Sequence, residues 1–244
     1  MKILVTESQY RKILSEEKEQ KVLHIPSLKI FSGDWDLLQK FLKHRGNPPY
    51  SFGGNLNLRH TEIESLGNLT SVGGDLDLYD TPIKSLGNLQ SVGGNLYLRE
   101  TPIKSLGNLQ SVGGNLNLGL APIESLGNLQ SVGGNLDLRG ISIESLGNLQ
   151  SVGGDLYLVE TPITSLGNLT SVVGNLYGTF LPIESFGNLT SVGGDLNLTF
   201  TPIKSLGNLE SVGRDLGLYG TPLSKMYTKE QIREMLDVGG EIFM

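Results

Sequence analysis

The chain has 244 residues, no cysteine, 33 glycines and only 18% charged residues, which rules out disulfides, thiolate metal sites and a cysteine nucleophile and describes a chain that turns corners often. Its net charge of -6 is unevenly split: residues 1–50 hold nine Lys/Arg and six Asp/Glu, residues 51–244 ten and nineteen. An array of net charge -9 lacks the basic stripe that neutralises phosphates, so no nucleic acid is expected as partner, and no apolar run is long enough for a membrane span.

In chain order, Met1-Lys2-Ile3-Leu4-Val5 offers three apolar residues before charge resumes at Glu7. That is too short for a signal-peptide core, and a cytoplasmic or virion-associated protein is expected. Thr6-x-x-Gln9 fits a capping box opening a helix to about Lys21. A second helix, from about Asp34 to Arg45 after Ser32, places Trp35, Leu38, Phe41 and Leu42 on one side and stops at Gly46 and Pro48-Pro49. Residues 1–50 therefore read as a helical N-terminal cap, with Trp35, the single Trp, as the plug over the first turn of the array.

From about Gly53 to Leu223 a 20-residue unit recurs without insertion, typified by Ser85 to Lys104. A fixed period of this length predicts a repeat solenoid over residues 51–223, of about nine coils, each stable only when stacked on its neighbours. Six columns are apolar, represented by Val72, Leu76, Leu78, Ile83, Leu86 and Leu89, and form the expected core. Leu76 and Leu78 alternate with Asp75, Asp77 and Tyr79, which predicts a strand with one buried face, laid coil on coil into a parallel sheet. Gly67 and Gly73-Gly74 are expected at corners, where glycine reaches positive φ without steric cost. Pro82 and most of its counterparts fix φ at the start of the next side, Ser142 and Glu62 being exceptions.

The invariant column Asn68, Asn88, Asn108, Asn128, Asn148, Asn168, Asn188 and Asn208 is expected to bond backbone groups left unpaired at a bend. The column of Thr81 also holds Ala121, Ile141 and Leu181, so it is expected to face inward. In coil seven Val173 replaces a usual Gly and Gly178 a core Leu, with Phe186 as the candidate to refill the volume and a local bend or small cavity expected.

Leu76-x-Leu78-x-x-Thr81-x-Ile83-x-x-Leu86 resembles the leucine-rich repeat pattern, with Thr81 where that family usually has Asn, and Leu66-Gly67-Asn68-Leu69-x-Ser71-Val72-Gly73-Gly74-Asp75-Leu76 is similar to receptor L-domain repeats. The resemblance implies a leucine-rich-repeat or right-handed β-helix-like solenoid used as a binding surface. The opening Met1 to Tyr10 also looks like the starts of small proteins of large tailed phages, which suggests a phage-encoded protein.

Beyond the array, residues 224–244 read as a C-terminal helical cap and tail. Thr228-x-x-Gln231 fits a capping box, with Ile232, Met235 and Leu236 as the buried side, and Glu241-Ile242-Phe243-Met244 is expected to pair with an edge or dock on a partner.

Diversity is concentrated at the outward strand positions and the turn after them, the rows of residues 57, 59 and 60 and their equivalents. Their first half carries Arg59, Asp80, Arg99, Glu100 and Arg139, their second Tyr157, Tyr177, Phe180, Phe200 and Tyr219. Neighbouring exposed rings are unusual unless a partner or the chain's own terminal segments cover them, the alternative being that they simply satisfy strand preference. The expected partner-binding residues are Tyr97, Arg99, Tyr157, Tyr177, Phe180, Phe200 and Tyr219, on a face roughly 38 Å long. A protein partner is expected, with a glycan as the variant, and self-assembly into a homo-oligomer or filament through coil ends and tails as the competing class.

Catalysis finds little basis. The three histidines, His24, His44 and His60, form no Ser/His/Asp or two-His metal motif. Asp80, Arg99 and Glu100 meeting across adjacent coils is the one constellation to test, against an ordinary reading as cross-strand pairs. The twenty-residue period and bulky Leu76 argue against a calcium β-roll, and neither Ser column forms the flat double ladder of an ice-binding face. No enzyme, cofactor or metal is expected.

Overall fold

The computed structural model describes residues 22–244, so the helix expected from Thr6 to Lys21 lies outside the described residues. It is a parallel β-solenoid in which each 20-residue coil contributes to two sheets. The expected parallel sheet is present, and a second parallel sheet lies beside it in every coil. Leu76–Asp77 and its equivalents form a 10-stranded sheet, and Ser71–Val72 and its equivalents form a second, of eleven strands. Pairing is residue over equivalent residue, Leu76 on Leu96 and Ser71 on Ser91. All six expected apolar columns are buried, with Val72, Leu76, Leu78, Ile83, Leu86 and Leu89 no more than 2% exposed.

The two glycine positions act by different physics. Gly67, Gly87 and their equivalents hold φ between +57° and +60°, the left-handed region, and serve as corners. Gly73-Gly74 do not have positive φ. They form the bend between the two sheets, where coil rests on coil: a Cβ on Gly93 would fall on the carbonyl oxygen of Gly73, and one on Gly94 on the side chain of Asp75, while Val173 and Arg214 are the two places where the array carries a side chain in these columns.

Side chains complete the hydrogen bonding between coils. Nδ2 of Asn108 donates to Gly87 O at 3.1 Å and Nδ2 of Asn208 to Gly187 O at 3.1 Å, the backbone role expected of that column. Thr81, Thr101, Thr161, Thr201 and Thr221 are buried, each hydroxyl donating to the carbonyl three residues earlier, as Thr81 does to Leu78 O at 2.8 Å. A second ladder is one that the sequence pattern does not announce. The column Asn55, Asp75, Asn95, Asn115, Asn135, Asp155, Asn175, Asp195 and Asp215 accepts, through Oδ1, the backbone N–H of the following coil, at 2.7–3.2 Å and without a gap up to Glu241. These side chains replace a backbone acceptor at the corner where the chain leaves one sheet for the other.

Coil seven keeps its register. Gly178 N donates to Asn197 O at 2.8 Å, and a Cβ built on Gly178 would meet Leu181 Cδ1 at 2.7 Å and Leu198 Cδ2 at 2.9 Å. The missing leucine is therefore refilled by Leu181, which stands in the Thr column, and Phe186 simply occupies its own buried leucine position. Val173 points outward and the ladder continues through it, Val173 N donating to Val152 O at 2.9 Å.

At the N-terminal end Leu23–Ile25 adds a strand to the Ser-Val sheet beside Tyr50–Phe52. A 3-10 turn, Leu28–Phe31, and helix α1, Trp35–His44, come next, with Asp34 capping the helix through Leu37 N at 3.0 Å. Trp35, Leu38 and Leu42 are buried, as expected of a plug, while Phe41 is half-buried against Phe31. Tyr50 is sealed beneath this cap, donating to Leu66 O at 2.7 Å and accepting from Gln39 Nε2 at 3.2 Å, and burial pushes its phenol far above the ordinary range.

At the other end come helices α2, Leu223–Met226, and α3, Lys229–Met235, the latter opened by the expected capping box of Thr228 and Gln231. Ile232 and Leu236 are buried, but Met235 is half exposed, a correction to the buried side expected of it. Asp237–Val238 and Ile242–Phe243 then re-enter both sheets, so the apolar tail is the edge strand of the Leu sheet. Arg233 completes this end. In a regular coil the carbonyls of Val72 and Gly74 accept from Gly93 N and Gly94 N of the next coil, at 2.8 and 2.9 Å. Val238 O and Gly240 O occupy those two positions here and accept instead from Nη1 and Nη2 of Arg233, at 2.8 and 2.6 Å.

Candidate functional site

The outward face of the Leu sheet carries three rows, and the structure shows that much of their variation obeys local rules. In the first row, Asn57, Asp77, Asn117, Asp137 and Asn197 each accept through Oδ1 the N–H two residues on, at 3.0–3.2 Å, an Asx turn that closes the strand. Tyr97, Tyr157 and Tyr177 stand where this turn residue is usual. The third row is left-handed throughout. His60, Asp80, Glu100, Leu120, Glu160, Phe180 and Phe200 have φ between 52° and 63°, and Gly140 and Gly220 complete the series at 73° and 74°. Glycine, Asp and His suit this conformation; a bulky L-residue is held there at a cost of about 1–2 kcal/mol.

Relative to these defaults, the two halves of the face differ. In the first half the charged groups are engaged with one another. Arg139 makes a two-point pair with Asp137, Nε to Oδ1 at 2.9 Å and Nη2 to Oδ2 at 2.6 Å, and its guanidinium lies 5.0 Å from the Tyr157 ring centre. Burial pushes the Asp137 carboxyl up, but the hydrogen bonds and charge of Arg139 outweigh it and hold the group below the usual carboxylate range. His60 Nδ1 lies 3.0 Å from Asp80 Oδ2, and Arg99 Nε donates to Glu100 Oε1 of its own coil at 3.2 Å. Asp80, Arg99 and Glu100 thus do not converge as a trio: Asp80 turns back to the preceding coil, and Glu100 accepts from Arg99 and from the Tyr79 hydroxyl at 3.3 Å. Tyr97 and Arg99 line a shallow depression of about 530 Å³ with Arg59, Asp77, Tyr79 and Asn117.

In the second half the rings engage one another. Tyr157 and Tyr177 are stacked with centres 5.0 Å apart and planes 15° apart; Phe180 and Phe200 are stacked at 5.2 Å and 10°; Tyr219 meets Phe200 edge-on at 5.5 Å. Equivalent residues of adjacent coils lie one strand spacing apart, about 4.8 Å, so identical ring types stack by construction. Tyr157 donates to Asp155 Oδ2 at 3.0 Å, and burial, followed by that carboxylate, raises its phenol above the ordinary value. Phe180, Phe200 and Tyr219 are 53%, 48% and 57% exposed. Phe243, aligned with Gly217 in the first row and 53% exposed, extends the apolar face beyond Tyr219; the apolar tail is legible in the sequence, but its place on this face depends on the irregular length of the last coil.

Among the described residues no group of three or more His, Asp or Glu is placed to hold a metal ion, and no helix is long and apolar enough to cross a membrane. Compared with family models, with curated proteins and with solved structures, the chain matches none.

Proposed function

We propose that this solenoid is a nonenzymatic recognition scaffold that holds a protein partner on the outer face of the Leu sheet, chiefly through its aromatic half. The observation that carries this reading is the pair Phe180 and Phe200: stacked, half exposed and both in the left-handed region. Neither burial of the rings nor backbone preference explains them, since the same row uses Gly at positions 140 and 220, and retained strain of this kind is characteristic of binding sites. Tyr157 and Tyr177 add a second departure, each standing where an Asx turn is the local default. Leucine-rich repeats and receptor L-domains, which the coils resemble, point to the same use.

Assembly into a fibre or virion component through coil ends is the competing reading. Arg233 counts against it, because it holds two carbonyls that a stacked coil would need.

Replacing Tyr157, Tyr177, Phe180 and Phe200 together by Ser tests the recognition reading. The variant is expected to keep the circular dichroism and melting cooperativity of the parent while losing the partner recovered by affinity capture from the native host. Unchanged captured material would remove the face from consideration. Light scattering after size exclusion is expected to give a monomer, and a concentration-dependent series of larger species would favour assembly.

A further inference from the structure

The orientation of the rings narrows the chemistry of the partner, in an inference that rests on the aromatic half being the binding face. A sugar ring or a cationic head group binds an aromatic residue on its face, where the π-cloud is negative. Both faces of Tyr157 and Phe200, and one face each of Tyr177 and Phe180, are taken. Phe180 and Phe200 cover one another, Tyr157 and Tyr177 cover one another, and the guanidinium of Arg139 lies over Tyr157. Phe200 also lies over Gly220, where a Cβ would meet its Cε1 at 2.8 Å, and Tyr219 abuts it edge-on. What the stacked Phe180 and Phe200 offer outward is ring edges, and Tyr219, in the neighbouring row and perpendicular to Phe200, continues the strip to about 11 Å, in steps of 5.2 and 5.5 Å. Ring edges pair with the faces of other aromatic rings and pack against aliphatic side chains.

Charge adds a second selector. From Ser151 to Gly220 the chain holds six Asp/Glu and two Lys/Arg, and on the three outward rows of this stretch Glu160 is the sole charged residue. The strip is therefore apolar beside a single carboxylate, Glu160, in a stretch of net charge -4, which favours cationic flanks over acidic ones.

From these features we infer that the strip Phe180–Phe200–Tyr219 docks a peptide segment of a protein partner in which aromatic or large aliphatic anchors are flanked by Lys or Arg, and that it does not bind glycans. In the third row the strip is flanked by Glu160 and Gly220, and its specificity is set by three exposed side chains whose replacement leaves the core untouched.

The test is selection of a displayed library of random dodecapeptides on the immobilised full-length chain, counter-selected on a Phe180→Ser/Phe200→Ser/Tyr219→Ser variant of matched melting behaviour. Enriched peptides are expected to carry aromatic or aliphatic anchors beside basic residues, to bind the variant at least about tenfold more weakly, and to weaken as salt rises. A linear β-glucan hexamer is expected to show no binding. The inference is overturned if no peptide is enriched over the variant, if enriched peptides are acidic or lack apolar anchors, or if the glucan binds the parent and not the variant. Should the enriched peptides depend instead on Tyr97, Arg99 or Arg139, the strip loses its role while the wider face keeps its own; dependence on no residue of the face would end both.

Discussion

The two halves of the outer face are built on the same backbone and solve the same local problems differently. In the first half, side chains satisfy the turn and each other: Asp77 and Asp137 close Asx turns, Arg139 is paired with Asp137, and His60 with Asp80. In the second half, Tyr157 and Tyr177 displace turn residues and Phe180 and Phe200 sit in a conformation they do not favour, departures that the first half makes singly, at Tyr97 and Leu120. Sequence variety alone does not mark a binding surface. Residues that oppose the local default mark it better, because nothing in the coil itself accounts for them.

The largest effect that sharpens this contrast lies under the aromatic half. Leu181→Thr restores the usual residue of its column but empties the space beside Gly178, and is expected to lower stability by about 2–4 kcal/mol in urea titration. Adding Gly178→Leu to it should return most of that loss. If Leu181→Thr is neutral, Leu181 does not fill the space that Gly178 leaves.

Next come the rings themselves. Phe180→Asn and Phe200→Asn relieve about 1–2 kcal/mol of left-handed strain each and forfeit about 0.5–1.5 kcal/mol of ring stacking. The urea midpoint is expected to hold or rise while peptide capture falls. A marked fall in the midpoint would make the rings structural and erase the difference between the halves. Glu100→Asn, the matching change in the charged half, should leave capture intact.

The smallest effect is electrostatic. Because Arg139 depresses the folded-state Asp137 carboxyl, its stabilisation is present above the ordinary carboxylate value and is lost as pH falls through the depressed one. The pair is largely exposed, so the difference between the parent and Asp137→Asn is expected to be at most about 1 kcal/mol at neutral pH and to vanish at strongly acid pH. Asn keeps the Asx turn, as Asn117 does in its own coil, so a difference that persists in acid would mean the ion pair is not what Asp137 contributes.

Much of the fold is legible in the sequence because each coil repeats the same experiment. The inward columns, the bonding of Asn68 and its equivalents, the inward Thr81 column and the capping box at Thr228 are all accessible by comparing one coil with the next. The second sheet is not, since Ser71–Val72 is too short to show an alternating pattern. Gly73-Gly74 are corner residues, as expected, but composition does not distinguish a need for positive φ from close backbone contact. The ladder from Asn55 to Asp215 hides in plain view: every coil has Asn or Asp there, but the adjoining alternation of Leu and polar residues makes it look like an ordinary outward position. The left-handed row is a property of the turn, invisible when its occupants range from Gly to Phe.

Arg233 has a bearing on how such a protein can change in size. The two carbonyls it holds belong to positions that every coil supplies, so the same lid fits a stack of any height. Whole windings of twenty residues between Ser71 and Ser211 can be gained or lost without redesigning the closure, and the reach of the recognition wall becomes adjustable in steps of one strand width, about 4.8 Å.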